Sequence, residues 1–387
     1  MNNKKRKIAI IGAGASGMMC AITAKKQNSE LDITIFEKND KMGKKILASG
    51  NGRCNIINTT FDETNYHAGD SLFVKKALEQ FSFATFKKFC LDIGLVLDVK
   101  EDGRCYPLSN EAKSVVTLFS KALSEQGVQV RLEHDVGQIR HEKGVFFVDD
   151  EPFDTLVVSS GLGAASQLGS SEDGLDFARS FGHTVAPTFP ALVGLELADA
   201  TKRLFGVKMR AKVSLYIDGL FKEEAFDDIL FTNYGISGFA ILDISTAASY
   251  ALSLGSSVYI EIDLLPQFDR NALFTLLRKV DGDLTGLLPA KLVDIVSSKS
   301  IKETTHNIQH LRFDVSATHG FDHAEASGGG VLTSQINPHT MESQKINDLY
   351  FAGEVLDVVG ERGGYNFAFA WASGYNAGKS LAGEIIK

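Results

Sequence analysis

The stretch that most constrains the fold is "KIAIIGAGASG", an apolar run ending in Gly12, Gly14 and Gly17. Ile8, Ala9, Ile10 and Ile11 form an unbroken apolar segment, the pattern of a strand buried on both faces of a parallel sheet. The glycines then spell G-x-G-x-x-G. The first makes a tight turn, the second admits a pyrophosphate to the backbone, and the third lets helix and strand pack closely. The helix opening at Ala15 and Ser16 aims its N-terminus at phosphate. The next strand, "DITIF", Asp32 to Phe36, is followed by Glu37 and Lys38, with Glu37 twenty residues past Gly17. A carboxylate there accepts hydrogen bonds from the ribose hydroxyls of an adenosine. A glycine triplet alone is weak, but one placed between a strand and a helix, with an acid at this distance, predicts a dinucleotide site. The acid favours a ribose without a 2′-phosphate and leaves FAD and NAD open.

A second glycine-polar loop separates the two. "KMGKKILASGNGRCNIIN", residues 41–58, carries Lys44, Ser49, Gly50, Gly52, Arg53, Cys54 and Asn55. FAD is the longer cofactor, and its ribityl chain and isoalloxazine need additional donors and close backbone approach. The expected cofactor is therefore FAD.

Composition excludes several alternatives. A formal net charge of −8 and a sequence pI near 5.7 argue against nucleic acid as the main partner. The four cysteines, Cys20, Cys54, Cys90 and Cys105, form no C-x-x-C pair and no disulfide framework, which fits a reducing cytoplasm. The basic, apolar N-terminus looks superficially like a signal peptide, but its fixed glycine spacing argues against one. No stretch of about 18 apolar residues predicts a membrane span.

The motifs together resemble the BaiN-like, three-domain bacterial FAD-dependent oxidoreductases. Residues 45–55 match "K-x-L-x-S-G-x-G-R-C-N", and Gly103, Arg104, Tyr106, Pro107 and Ser109 match "G-R-x-Y/F-P-x-S". "TNYGISGF", residues 232–239, partly matches "T-H-x-G-x-S-G-P", and residues 353–366 match "G-E-V-L-D-V-x-G-x-T-G-G-Y-N". Four positions depart from the pattern: Asn233 replaces histidine, Phe239 proline, Val359 an acid and Arg362 threonine. Within the family the chain looks most like the aminoacetone oxidase members, while other members are assigned as reductases of enone-containing steroids. The resemblance implies an α/β fold with a Rossmann-like, glutathione-reductase-type FAD domain, an inserted β-rich barrel-like domain and a small helical domain. The expected boundaries are 1–189 with 320–387 for the FAD domain, 190–265 with 309–319 for the β-rich domain, and 266–308 for the helical one.

Folds of this type also assign roles further along the chain. Val136 is expected to offer its backbone amide to adenine, and Gly161 to end the cofactor domain's own strand within "GLGAAS" rather than to begin a second nucleotide fingerprint. "SGGG", 327–330, reads as a glycine turn. The last strand is expected to deliver Gly353 and Glu354, then Gly363, Gly364, Tyr365, Asn366 and Phe367, to the flavin. A helix N-terminus there stabilises negative charge at the flavin pyrimidine edge. Candidate catalytic residues are Tyr234 and Asn233, to orient an amine or carbonyl, and Arg362, to bind a carbonyl or tune the flavin. Cys54 has no partner thiol nearby in sequence. His319 and His323 would share one face if they lay on a strand, but no metal signature supports them, and no metal is expected.

With one dinucleotide fingerprint, the sequence favours an oxidase of a small amine or aminoketone that reduces O2 to hydrogen peroxide. An NAD(P)H-dependent reductase of an enone comes second, and a non-catalytic flavin sensor third.

Overall fold

The computed structural model describes residues 5–198 and 201–383. The chain divides into two units, Met1–Thr188 with Ala326–Lys387, and Phe189–Glu325.

The first unit is built on a parallel five-stranded sheet. Its order is Leu349–Phe351, Thr155–Val158, Lys7–Ile11, Asp32–Phe36 and Gln129–Arg131. Ile8, Ala9 and Ile10 are fully buried, as a strand covered on both faces requires. The helices Ala15–Gln27 and Tyr365–Leu381 pack closely because two glycines of the second helix remove the obstacle. A Cβ at Gly374 would overlap the Ser16 carbonyl oxygen, and one at Gly378 would meet the Cys20 oxygen at 2.6 Å. Residues 71–92 form two helices, Ser71–Leu78 and Phe83–Asp92, each started by a side-chain cap, from Asp70 and Ser82. Trp371 is fully buried, stacked on Phe86 and near Phe119 and Phe367.

The "SGGG" segment is a strand and not a turn. Ala326–Val331 is buried throughout and pairs with Val185–Ala191. Gly329 and Gly330 have φ of +79° and +121°, and side chains there would collide with the Pro187 and Val355 carbonyls. The glycines serve close backbone approach within a sheet.

The second unit holds a closed antiparallel barrel. Its strand order is Leu195–Leu197, Gly235–Ser237, Leu220–Phe231, Lys208–Ile217, Val258–Asp263 and Leu311–Thr318. Val213, Leu215, Ile260 and Ile262 face its core. The helix Phe239–Ser253 contributes Ile241, Ile244 and Ala248 to that core, and sequence reading missed it. Three shorter helices, Arg270–Lys279, Ala290–Val296 and Ile301–Gln309, lie in the same unit. Among the described residues no helix is long and apolar enough to cross a membrane.

One buried histidine of the first unit makes stability depend on pH. His183 packs its ring edgewise on Phe351 and places Nε2 2.8 Å from the Ser343 hydroxyl. Burial, with the Lys345 ammonium nearby, pushes its pKa below the usual 6.5. The neutral ring is thus the form the fold accepts. Its stabilising contribution is complete above the unfolded value near 6.5 and is lost as pH falls through the lower folded value. Thermal unfolding is expected to drop on acidification below about pH 6.5, more steeply in wild type than in His183→Asn. Parallel profiles would contradict this assignment.

Candidate functional site

The fingerprint turn shows three glycines with three separate duties. Gly12, at φ +99°, has no room for a side chain, because a Cβ would meet the Ser159 carbonyl oxygen at 2.7 Å. A Cβ at Gly17 would overlap the Gly12 carbonyl oxygen, so this glycine brings helix and strand together. At Gly14 nothing in the protein lies within 4 Å of such an atom. The helix that follows has no side-chain cap and no acid in its first turn, so the first-turn N–H groups around Ala15 and Ser16 are left for a ligand. An uncapped helix start beside open space fits a pyrophosphate.

Glu37 is buried at the end of the second strand and is already heavily engaged. Oε2 accepts from the Ala13 N–H at 2.9 Å, and Oε1 accepts from the Asn39 N–H at 2.9 Å and the Asn39 side-chain amide at 2.7 Å. A carboxylate has about four acceptor positions, which leaves about one for a ribose hydroxyl. Glu37 therefore shapes the turn and keeps about one acceptor position open. Lys38 is drawn toward Asp173, 3.4 Å away, and Val136 is buried in the loop after the fifth sheet strand.

The second glycine loop is a run of left-handed residues, Gly50, Asn51, Gly52 and Cys54. The Ser49 hydroxyl donates to the Ile46 carbonyl, the Cys54 N–H to the Ser49 carbonyl, and Arg53 Nε to the Gly50 carbonyl. Arg53 lies over Tyr106, 5.6 Å from the ring centre. The Ile56 N–H donates to the Cys105 carbonyl, which joins this loop to the "GRCYP" segment. Asn55 Oδ1 is buried and no hydrogen bond reaches it, and the same holds for Ser160 Oγ just past the strand Thr155–Val158. Buried oxygens without donors are costly. Two of them in the loops that border the glycine turns fit a bound cofactor with donors of its own. Cys54 is fully buried and its thiol is pushed up to about 11, so it stays protonated and is a poor nucleophile at neutral pH.

The C-terminal stretch meets the fingerprint at its far end. Gly353 has φ +80° and faces Ser16 so closely that a side chain would overlap the serine oxygen. Ser16 donates to the Ala352 carbonyl at 3.3 Å, and Gly353 donates to the Ser373 hydroxyl at 2.9 Å. Glu354 bonds Lys45 Nζ at 2.6 Å and accepts from the Ser327 N–H at 2.9 Å, tying the last strand to the second glycine loop. Lys44, an expected cofactor residue, pairs with Asp40 at 2.9 Å, and its neighbour Lys45 makes the bridge. Gly161, at φ +77°, lies against the Glu354 carboxylate. No α-helix opens at "GLGAAS", and the next begins at Asp173, as a strand end of the cofactor unit requires.

At the turn expected to meet the flavin, Gly363 and Gly364 have φ of +137° and +101°, and the helix starts at Tyr365. Gly364 packs on the Ile57 and Asn58 backbone, and Asn58 Nδ2 donates to the Gly363 carbonyl at 3.3 Å. Asn366 closes the turn with both amide atoms, accepting from the Gly360 N–H at 2.8 Å and donating to its carbonyl at 2.9 Å. Phe367 stacks on Trp371, and the Tyr365 carbonyl accepts from the Tyr66 hydroxyl. Val359, one of the departures from the pattern of the resembled family, is buried in the strand Val358–Gly360, which pairs with Tyr66–Ala68. Asp357 went unnoticed in the sequence. Burial raises its carboxyl above the usual range, opposed by a hydrogen bond from the Gly329 backbone.

The three candidate catalytic residues divide between the units. Arg362 is half-buried in the first, and Tyr234 and Asn233 belong to the second. Asn233 is exposed at the tip of a turn closed by Thr232 and Gly235. Phe239 opens its helix, a position whose backbone proline suits. His319 and His323 do not share a strand face. The strand ends at Thr318, a short 3-10 turn spans Phe321–His323, and the two rings stack. Among the described residues no His, Cys, Asp or Glu group is arranged to hold a metal.

Residues 6–380 match the family described as "HI0933-like protein Rossmann domain". The chain is 33% identical over 405 residues to a 3-dehydro-bile acid delta(4,6)-reductase of Clostridium scindens, spanning 97% of this chain and 99% of that protein. It is 31% identical over 404 residues to a ribosomal RNA dihydrouridine synthase of Haemophilus influenzae, spanning 96% and 98%. Among solved structures, a 3-ketosteroid delta1-dehydrogenase from Sterolibacterium denitrificans shares the fold at a TM-score of 0.50 and 13% identity, over 98% of this chain and 100% of that one.

Proposed function

The chain belongs to the HI0933-like family of FAD-dependent oxidoreductases, with FAD as its cofactor, and from that premise we propose that it reduces a carbon–carbon double bond conjugated to a carbonyl, using a reduced nicotinamide as electron source. The observation that carries this reading is the end-to-end similarity to relatives named for such chemistry. One is a delta(4,6)-reductase, and dihydrouridine is uridine with a reduced double bond beside a carbonyl.

FAD held by the two glycine loops would, once reduced, supply a hydride equivalent for the carbon β to the carbonyl. The chain's own part is to hold the cofactor, polarise the carbonyl and provide a proton for the α carbon. The half-buried Arg362, with the N-terminus of the helix Tyr365–Leu381, places positive potential at the flavin-edge turn. A net charge of −8 disfavours a polyanionic RNA substrate, so the substrate class we propose is a small neutral enone.

Amine oxidation, the first expectation from sequence, retains one supporting observation. "GLGAAS" opens no second nucleotide-binding helix, so a separate nicotinamide domain is not evident among the described residues. A nicotinamide that docks transiently at the flavin needs no such domain. The test is anaerobic turnover of 2-cyclohexen-1-one and a steroidal 4-en-3-one with NADPH or NADH. We expect equimolar nicotinamide oxidation and a product about 2 Da heavier. No nicotinamide oxidation, together with peroxide release from aminoacetone in air, would overturn the proposal in favour of the oxidase.

A further inference from the structure

The fingerprint turn is gripped from two sides, and one ion pair joins the two grips. On one side the Gly43 N–H donates to the Ala13 carbonyl at 3.0 Å and so anchors the start of the helix Lys44–Ala48. On the other side Gly353 packs on Ser16, whose hydroxyl donates to the Ala352 carbonyl. Lys45 Nζ and Glu354 Oε2, 2.6 Å apart, connect these arms. Ala13 and Ser16 lie either side of Gly14, the glycine with open surroundings. The ion pair therefore closes a ring of contacts at the turn assigned to the pyrophosphate. All these residues belong to the first unit.

Charge shows what such a lysine does. A pyrophosphate is a dianion, and the buried Glu37 carboxylate already sits on the Ala13 N–H. Glu354, one residue past the Ser16 contact, would add further repulsion if it stood alone. Its two oxygens are instead held by the chain, Oε2 by Lys45 and Oε1 by the Ser327 N–H at 2.9 Å. Ser327 is fixed in turn, because its hydroxyl accepts from the Ala164 N–H at 2.9 Å. Glu354 is thus a rigid acceptor that aims the lysine. An ammonium has three donors, and Glu354 takes one of them. The Lys45 side chain stays 33% exposed, so its charge is not sealed into the fold. Lys38 and Lys44 are drawn to Asp173 and Asp40. We propose that Lys45 is a cofactor-binding residue, its ammonium aimed by Glu354 to donate to the FAD pyrophosphate and offset its charge. The inference rests on FAD as cofactor and is independent of the substrate.

The test follows FAD release by flavin fluorescence after full-length, FAD-loaded protein is diluted into flavin-free buffer. Thermal unfolding of the FAD-free chain is recorded beside it. Lys45→Met is expected to release FAD about tenfold faster, with the FAD-free chain unfolding near the wild-type temperature. Salt is expected to speed release from wild type and to act less on Lys45→Met, where one attraction to phosphate is gone. Glu354→Gln keeps an oxygen for the Ser327 N–H and leaves the lysine charge in place, so its release is expected within about threefold of wild type. Equal acceleration in Lys45→Met and Glu354→Gln overturns the proposal, because the pair is then only a strut between two segments. Wild-type release from Lys45→Met overturns it as well, as does faster release matched by an equal loss of stability in the FAD-free chain. Should Lys45→Met fail to fold, Lys45→Gln is measured against the same outcomes. None of these readings uses enone turnover, so failure of the reductase reading leaves this one standing.

Discussion

Gly14→Val is expected to leave the apoprotein folded and to weaken FAD binding by about a hundredfold. The residue has φ −80° and ψ −169°, a conformation open to any amino acid, and no protein atom lies within 4 Å of a Cβ there. The added side chain meets only the space assigned to the pyrophosphate. Gly17→Val provides the contrast, because its Cβ would overlap the Gly12 carbonyl oxygen and push the helix off the strand. That variant is expected to lose fold stability and cofactor together. FAD titration of the two apoproteins, with their thermal unfolding, separates the cases. Wild-type FAD affinity in Gly14→Val would mean that the open space is not the cofactor's.

Trp371→Ala is expected to destabilise the first unit by about 3–5 kcal/mol, the cost of deleting a large, fully buried ring. The indole stacks on Phe86 and Phe367, lies against Phe119, and donates to the Ile56 carbonyl at 2.8 Å. Removing the donor leaves that buried oxygen unpaired, an added cost of about 1–3 kcal/mol. Ile56 follows Asn55, so the damage falls on the loop assigned to the flavin, and FAD is expected to dissociate at a lower temperature than in wild type. Trp371→Phe keeps most of the packing and loses the hydrogen bond, so it belongs between the two. Denaturant unfolding and flavin fluorescence on heating check both effects. An alanine variant with wild-type stability would remove the assigned link between the C-terminal helix and the glycine loop.

The local parts of the site were legible in the sequence. G-x-G-x-x-G between a strand and a helix is a statement about a few consecutive residues, and the strand ending at Phe36 and the acid after it followed from spacing. Contacts between distant residues were not legible. Lys45 reaches Glu354 across 309 positions, and nothing local distinguishes it from Lys44. Ser160 is an ordinary serine in sequence, and only its burial without a partner sets it apart. The helix Phe239–Ser253 was missed because it is apolar and small-residue-rich on most sides, which blurs the helical period. "SGGG" looked like a turn because glycine commonly breaks strands, whereas here the sheet needs backbones in near contact. The His319 stack depends on a turn after residue 318 whose course the hydropathy pattern does not reveal.

The central claim, reduction of a conjugated double bond with electrons from a nicotinamide, is tested most directly by the flavin spectrum under anaerobic conditions. The account predicts that NADPH or NADH bleaches the band near about 450 nm and that an added steroidal enone restores it. Bleaching by aminoacetone without any nicotinamide, recovery on admitting air, and no response to the enone would contradict it.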